Sequence, residues 1–206
     1  MNMKILKVIG LGMVIGASVW MGCEDRSDGL NFPLEKPDHI DSADYEVYSF
    51  VLDEIFSAEK IVISQESASH IRVRFDSDYF DYFVDKFPEF DTTLVGNLNE
   101  VNDTSCYFAD KFHSDDNQLI LVSPETLSDI FDSKDVHANW QEFYRRFENA
   151  AGYIKFSRIG FNEDKTQAML EAGYLYGGTG AEGSIIYLVK QRGSWKIADR
   201  VTTWVS

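Results

Sequence analysis

Three side chains in the middle of this chain have the types that a nucleophile, its base and an orienting acid would need: Cys106, His113 and Asp115. Cys106 lies in the apolar run Cys106-Tyr107-Phe108, where a small buried side chain is the simpler reading, and no flanking signature accompanies it. His39, His70 and His137 stand alone, without the spacing that gathers metal ligands. The stretches Asp115-Asp116-Asn117-Gln118 and Asn162-Glu163-Asp164-Lys165 lack the glycine and closing glutamate of a calcium loop and read as turns. Gly178-Thr179-Gly180-Ala181-Glu182-Gly183 fits the dinucleotide fingerprint letter for letter, but that motif works after a strand and at the opening of a helix. Here another strand follows within a residue or two, so the glycines read as a hairpin loop that uses their positive φ. No Gly-x-Ser-x-Gly, His-Glu-x-x-His or P-loop pattern occurs. These residues point to no catalytic group, no metal ligand and no cofactor.

The elements that would position a site are concentrated in the last fifty residues, Tyr153 to Ser206, which pattern as a four-stranded antiparallel meander. Its strands are Tyr153–Phe161, Gln167–Tyr176, Ser184–Gln191 and Ser194–Val205, joined by connections too short for a parallel crossover. In the second, Ala168, Leu170, Ala172, Tyr174 and Tyr176 alternate with Gln167, Glu171 and Gly173, the period of a sheet with one covered face. The third has Ile185, Tyr187 and Val189 on one face and Ile186 and Leu188 on the other, as a central strand does. The last places Trp195 and Ile197 on one side and Lys196, Ala198 and Arg200 on the other.

Helices precede the meander. Tyr45, Tyr48, Val51, Leu52, Ile55 and Phe56 make one apolar stripe on a helix over Asp44–Lys60, capped by Asp41 or Ser42. Ile61-Val62-Ile63 and Leu119–Val122 read as short buried strands, and Ile71, Val73 and Phe75 as another candidate. Asp78–Phe87 and Thr92–Val101 are two short helices split by Pro88. Ser123-Pro124 sets an N-cap and first helical residue for a helix to Phe131. Asp135–Ala150 forms the next helix, with Trp140, Phe143, Tyr144 and Phe147 on one face. The expectation is an α+β domain over 43–206, its N-terminal helices packed on the C-terminal four-stranded sheet.

A hydrophobic content of 44% suits one domain with a core, and the net charge of −15 argues against nucleic-acid partners. The pairs Arg72/Arg74 and Arg145/Arg146 are too small to reverse that field. Met1–Lys7 is a short basic region, and Val8–Gly22 is an uncharged apolar run, shorter than the roughly 20 residues a bilayer span needs. These are the proportions of a secretory signal peptide, residues 1–22. Trp20-Met21-Gly22-Cys23 resembles the lipobox of bacterial lipoproteins, which implies a lipid on Cys23 and a membrane held through it. Residues 23–42, acidic and interrupted by Pro33 and Pro37, read as a flexible tether, and acids directly after the cysteine resemble the surface-export signals of Bacteroidota lipoproteins.

Two further resemblances rest on the C-terminal third. Ser157-Arg158-Ile159-Gly160-Phe161-Asn162, Gln167-Ala168, Gly178 through Gly183, Trp195-Lys196 and Trp204-Val205-Ser206 resemble an uncharacterised family of bacterial exported lipoproteins, from Trp140 onward. The glycine-rich turn, the Gly-x-Trp-Lys strand entry and the final aromatic strand also resemble the nuclear-transport-factor-two-like (cystatin-like) cone fold, which implies a curved sheet around an early helix but no particular reaction. On such a sheet Trp140, Arg145, Tyr174 and Tyr176 are the candidate ligand-binding residues, open to an anionic ligand. The expected function is a lipid-anchored envelope module that binds a small ligand or a protein, with an immunity-type lipoprotein as one variant; the alternative is an envelope hydrolase or isomerase with a sheet-lined pocket.

Overall fold

A computed structural model describes residues 32–70, 78–178 and 180–206, which form five helices and a seven-stranded sheet. In chain order they are α1 Ser42–Ile55, β1 Lys60–Ser64, α2 Asp78–Lys86, α3 Thr93–Val101, β2 Gln118–Val122, α4 Pro124–Ile130, α5 Val136–Arg146, β3 Ala150–Phe156, β4 Gly160–Phe161, β5 Gln167–Tyr176, β6 Gly180–Gln191 and β7 Ser194–Val205. Cys23, the signal peptide, the candidate strand at Ile71, Val73 and Phe75, Arg72, Arg74 and Thr179 lie outside the described residues.

The fold is α+β, but the sheet is not the four-stranded antiparallel one expected. Its order is β2-β1-β3-β5-β6-β7, with β4 also paired to β5. β1 runs parallel to both β2 and β3, and the remaining pairings are antiparallel. The physical reason lies in Ile61, Val62 and Ile63, which are all buried. A strand apolar on both faces needs cover above, below and along both edges, and β1 finds it between two parallel neighbours. The long excursions through α2–α3 and α4–α5 are the crossovers that parallel pairing requires.

Helices cover both faces. On one, α1 lays Tyr48, Val51 and Leu52 onto Ile61, Ile63, Ile154, Phe156, Leu170, Ile186 and Leu188, with Phe108 and Phe112 completing the cluster. On the other, α2 and α3 bury Phe83, Leu94 and Leu98 against Met169, Ile185 and Tyr187. On that same face α4 and α5 bury Ile130, Trp140 and Phe143 against Val62, Val122 and Tyr153. The Ser123 side chain accepts from Thr126 N and Asp135 accepts from His137 N and Ala138 N, so α4 and α5 begin at built N-caps. The expected first strand of the meander is split into β3 and β4. Ser157 accepts Glu171 N on its hydroxyl at 2.8 Å, and Arg158 N turns to Asn102 Oδ1, also at 2.8 Å.

Residues 32–41, within the stretch read as a tether, lie along the domain. Gln65, 1% exposed, accepts Glu35 N and donates to Glu35 O, both at 2.8 Å. Phe32 N donates to Thr126 Oγ1, Asp38 exchanges bonds with Tyr107, and Ile40 enters the α1 core.

Candidate functional site

Where α1 ends, at Ile55 and Phe56, the chain lifts away from the sheet before re-entering it at Lys60. The recess beneath has a volume of about 330 Å³. Five strands supply its floor and walls: Lys60 and Ile61 from β1, Gly152 and Ile154 from β3, Tyr174 from β5, Glu182 from β6 and Arg200 from β7. Phe56, Ser57 and Ala58 form the upper lip. Gly152 is required here: its φ is +153°, and a Cβ would lie 2.2 Å from Leu175 O.

Register brings the polar groups together. Tyr174 lies opposite Glu182 across β5–β6 and opposite Ile154 across β3–β5. The Tyr174 ring packs edge-on to Phe56 with centroids 5.7 Å apart, and its hydroxyl donates to Ala151 O at 2.9 Å. Burial, then the neighbouring Tyr144, Tyr176 and Glu182, push its phenol above the usual tyrosine range. Arg200 donates from Nε to Ser184 Oγ at 3.2 Å and from Nη2 to Glu182 Oε1 at 2.8 Å. Lys60 Nζ donates to Glu148 O at 2.7 Å.

Arg200 reaches this face through an irregularity. Strict alternation along β7 groups it with Lys196 and Ala198. The β6–β7 register shifts between Tyr187 and Leu188, so that Asp199 faces Tyr187 while Ile197 faces Leu188. Beyond the bulge the phase is inverted: Arg200 lies opposite Ile186, on the α1 side, while Ala198 packs with the α2–α3 cluster. Bulges re-aim side chains in this way beside functional sites.

Of the four expected ligand residues, only Tyr174 lines the recess. Tyr176 lies beside it, tilted, with ring centroids 5.0 Å apart, and is 38% exposed. Trp140 is 7% exposed, packed on Tyr153 and Phe131 under α5 on the opposite face. Arg145 forks onto Glu142 with two bonds of 2.8 Å on the outside of α5. The Arg145 hydrogen bonds, helped by those of Arg146, hold the Glu142 carboxyl down at about 2 against the opposing effect of burial. The helical stripe that marks Trp140 was a core stripe, and α5 packs on the wrong side of the sheet for Arg145 to meet Tyr174. The sequence reading missed Lys60, Arg200 and Phe56. Glu182 stood inside the glycine motif, and its only signal was a charge amid small residues.

Other chemistry-bearing groups are engaged elsewhere. Cys106 is buried, and burial pushes its thiol up. His113 does not meet it: the His113 Nδ1 lies 3.0 Å from Ser49 Oγ, which also accepts His113 N at 3.1 Å. Ser49 is 1% exposed, so this Ser–His pair pins a loop to α1 and admits no substrate. Among the described residues no cluster of His, Cys, Asp and Glu could hold a metal, and no helix is long and apolar enough to cross a membrane. A second, more open recess of about 500 Å³ lies at the other end of the sheet beside Phe87, Tyr187, Val189 and Ala198. Along its wall Tyr187 donates to Gln167 Oε1 at 2.8 Å, and Gln167 Nε2 donates to Glu89 O at 2.7 Å.

Set against known protein families, curated proteins and solved structures, the chain matches none, and neither the lipoprotein nor the cone-fold resemblance gains support from them.

Proposed function

We propose that this chain is a lipid-anchored module of the bacterial cell envelope that binds a small ligand, without turning it over, in the cleft beneath the end of α1. The observation that carries the reading is the cleft itself, a recess with an apolar wall of Phe56, Ile61 and Ile154 and a few polar groups held in place by bonds to the fold. Ligand sites have this composition, and about 330 Å³ falls at the small end of their range. Binding is favoured over turnover because the lining's phenol and carboxylate are spent on the fold, Tyr174 donating its hydroxyl proton to Ala151 O and Glu182 accepting from Arg200. The anchor rests on the signal-peptide proportions and Cys23, and the exclusion of nucleic acid on the charge of −15.

The test is native mass spectrometry of the protein extracted from its own membranes. The expected result is acyl mass on Cys23 together with a small-molecule adduct that a Ser57→Trp change, which fills the mouth of the cleft, removes. Acylated protein with no adduct, or an adduct indifferent to Ser57→Trp, would overturn the cleft as the site. A mature chain without lipid would overturn the anchor.

A further inference from the structure

The cationic groups of the cleft are only partly used by the protein. We propose that the ligand is a small oxyanion, a carboxylate or phosphoryl group on an apolar body about one ring in size, with Arg200 and Lys60 taking the anion. This rests on the reading of the cleft as a ligand site.

Arg200 commits Nε to Ser184 Oγ and Nη2 to Glu182 Oε1. Two bonds to different partners hold the planar guanidinium in one orientation, and Nη1 has no bond within the described residues. Lys60 Nζ gives one of its three hydrogens to Glu148 O and keeps two. Glu182 is the lining's one carboxylate, with one oxygen already engaged by Arg200. The unspent capacity of the cleft is therefore mostly positively charged donors. A compact oxyanion satisfies such donors with charge-assisted bonds, whereas an ammonium meets repulsion and a neutral amide forgoes the charge. The apolar wall takes the ligand's body, and the volume admits little more than a ring and a short stem.

The sign of Glu182 follows from the same geometry. Its carboxylate competes with the ligand for one guanidinium, so removing its charge strengthens anion binding. A cation-binding site would respond in the opposite direction.

The experiment is NMR titration of the full chain with phenylacetate, phenylphosphonate, phenylacetamide and phenethylamine, following the backbone amides of Gly152 and Tyr174. The first two separate a carboxylate from a phosphoryl ligand, and the last two are the neutral and cationic controls. The expected result is binding of one or both anions at those amides. Their affinity should fall about tenfold in Arg200→Gln, the scale of one charge-assisted hydrogen bond, and rise severalfold in Glu182→Gln. Because Arg200→Gln also releases Ser184 and Glu182, Lys60→Gln is the second variant: its loss of anion affinity must appear with the wild-type spectrum elsewhere. If the amide or the amine binds there as tightly as the anions, the oxyanion class is wrong while the cleft remains a ligand site. If no probe shifts Gly152 or Tyr174 at millimolar concentration, both readings fall.

Discussion

Asp44, in the first turn of α1, gives the sharpest test of how this fold treats charge. Burial drives its carboxyl from an ordinary 3.8 to about 6, with Lys165 and Arg158 pulling it partly back and Asp41 adding to the rise. A displacement of that size corresponds to about 3 kcal/mol at 1.4 kcal/mol per pH unit. Asp44 is only partly buried, and screening by water reduces this to about 1–2 kcal/mol. The folded state holds this proton more tightly than the unfolded chain does. The contribution to stability is thus complete below about pH 4 and is lost as pH rises to about 6. An Asp44→Asn substitution removes the dependence. It also forgoes a favourable charge in the first helical turn, about 0.3–1 kcal/mol. The variant should therefore match the wild type or fall slightly below it at pH 4, and exceed it by about 0.5–1.5 kcal/mol at pH 7.5. Urea unfolding at the two pH values, followed by far-UV circular dichroism, reads the difference. A variant that loses more than about 1 kcal/mol at pH 7.5 would show that Arg158 and Lys165 support the charge rather than merely moderate its burial.

Gly160→Ala should cost about 3 kcal/mol, the upper end for overpacking, and lower Tm by several degrees. The added Cβ would stand 2.6 Å from Leu98 N and 2.9 Å from Leu94 O, backbone atoms of α3 that cannot swing aside. Cys106, in a Cys23→Ala chain, should react with a thiol reagent only as fast as the protein opens; rapid stoichiometric labelling of the native protein would contradict its burial. Trp204 rests on Gly183 and donates to Glu171 Oε1 at 2.9 Å, so Trp204→Ala, by opening the carboxylate to water, should lower the Glu171 titration midpoint in carboxyl NMR; a rise would mean that the lost hydrogen bond outweighs the shielding. An unmoved midpoint would mean that the indole neither shields nor bonds that carboxylate.

The parts of the fold that could be read from the chain are those set by neighbours in sequence. β5 and β7 begin and end where period-two alternation and Gly193 place them, and the cap at Ser123-Pro124 opens α4 as expected. β6 is central, with Ile186 and Leu188 under α1 and Ile185 and Tyr187 under α2–α3. What could not be read depends on contacts across the chain. Ile61-Val62-Ile63 announces a buried strand, but nothing in it names β2 and β3 as its neighbours. The site was hidden for a related reason. One register shift in β7 turns Arg200 through the sheet, and alternation has no way to register an extra residue. An aromatic stripe such as Trp140 with Phe143 looks the same whether it serves a core or a ligand.

The position of β1 has a consequence in time. From β3 onward each strand meets its next partner across a short connection, and β6 and β7 are joined through Arg192 and Gly193, both with positive φ. That meander can assemble as soon as it is made. β1 must wait: Ile61 pairs with Leu119 and Ile63 with Ile154, so its seat between them exists only after most of the chain has emerged. Non-local pairing of this kind slows folding. Until β1 arrives, the edge of β3 stays bare, the state in which one copy can be captured by another. A chain whose early strand finds its second neighbour only at Ile154 keeps that strand unpaired on one side through most of its own synthesis.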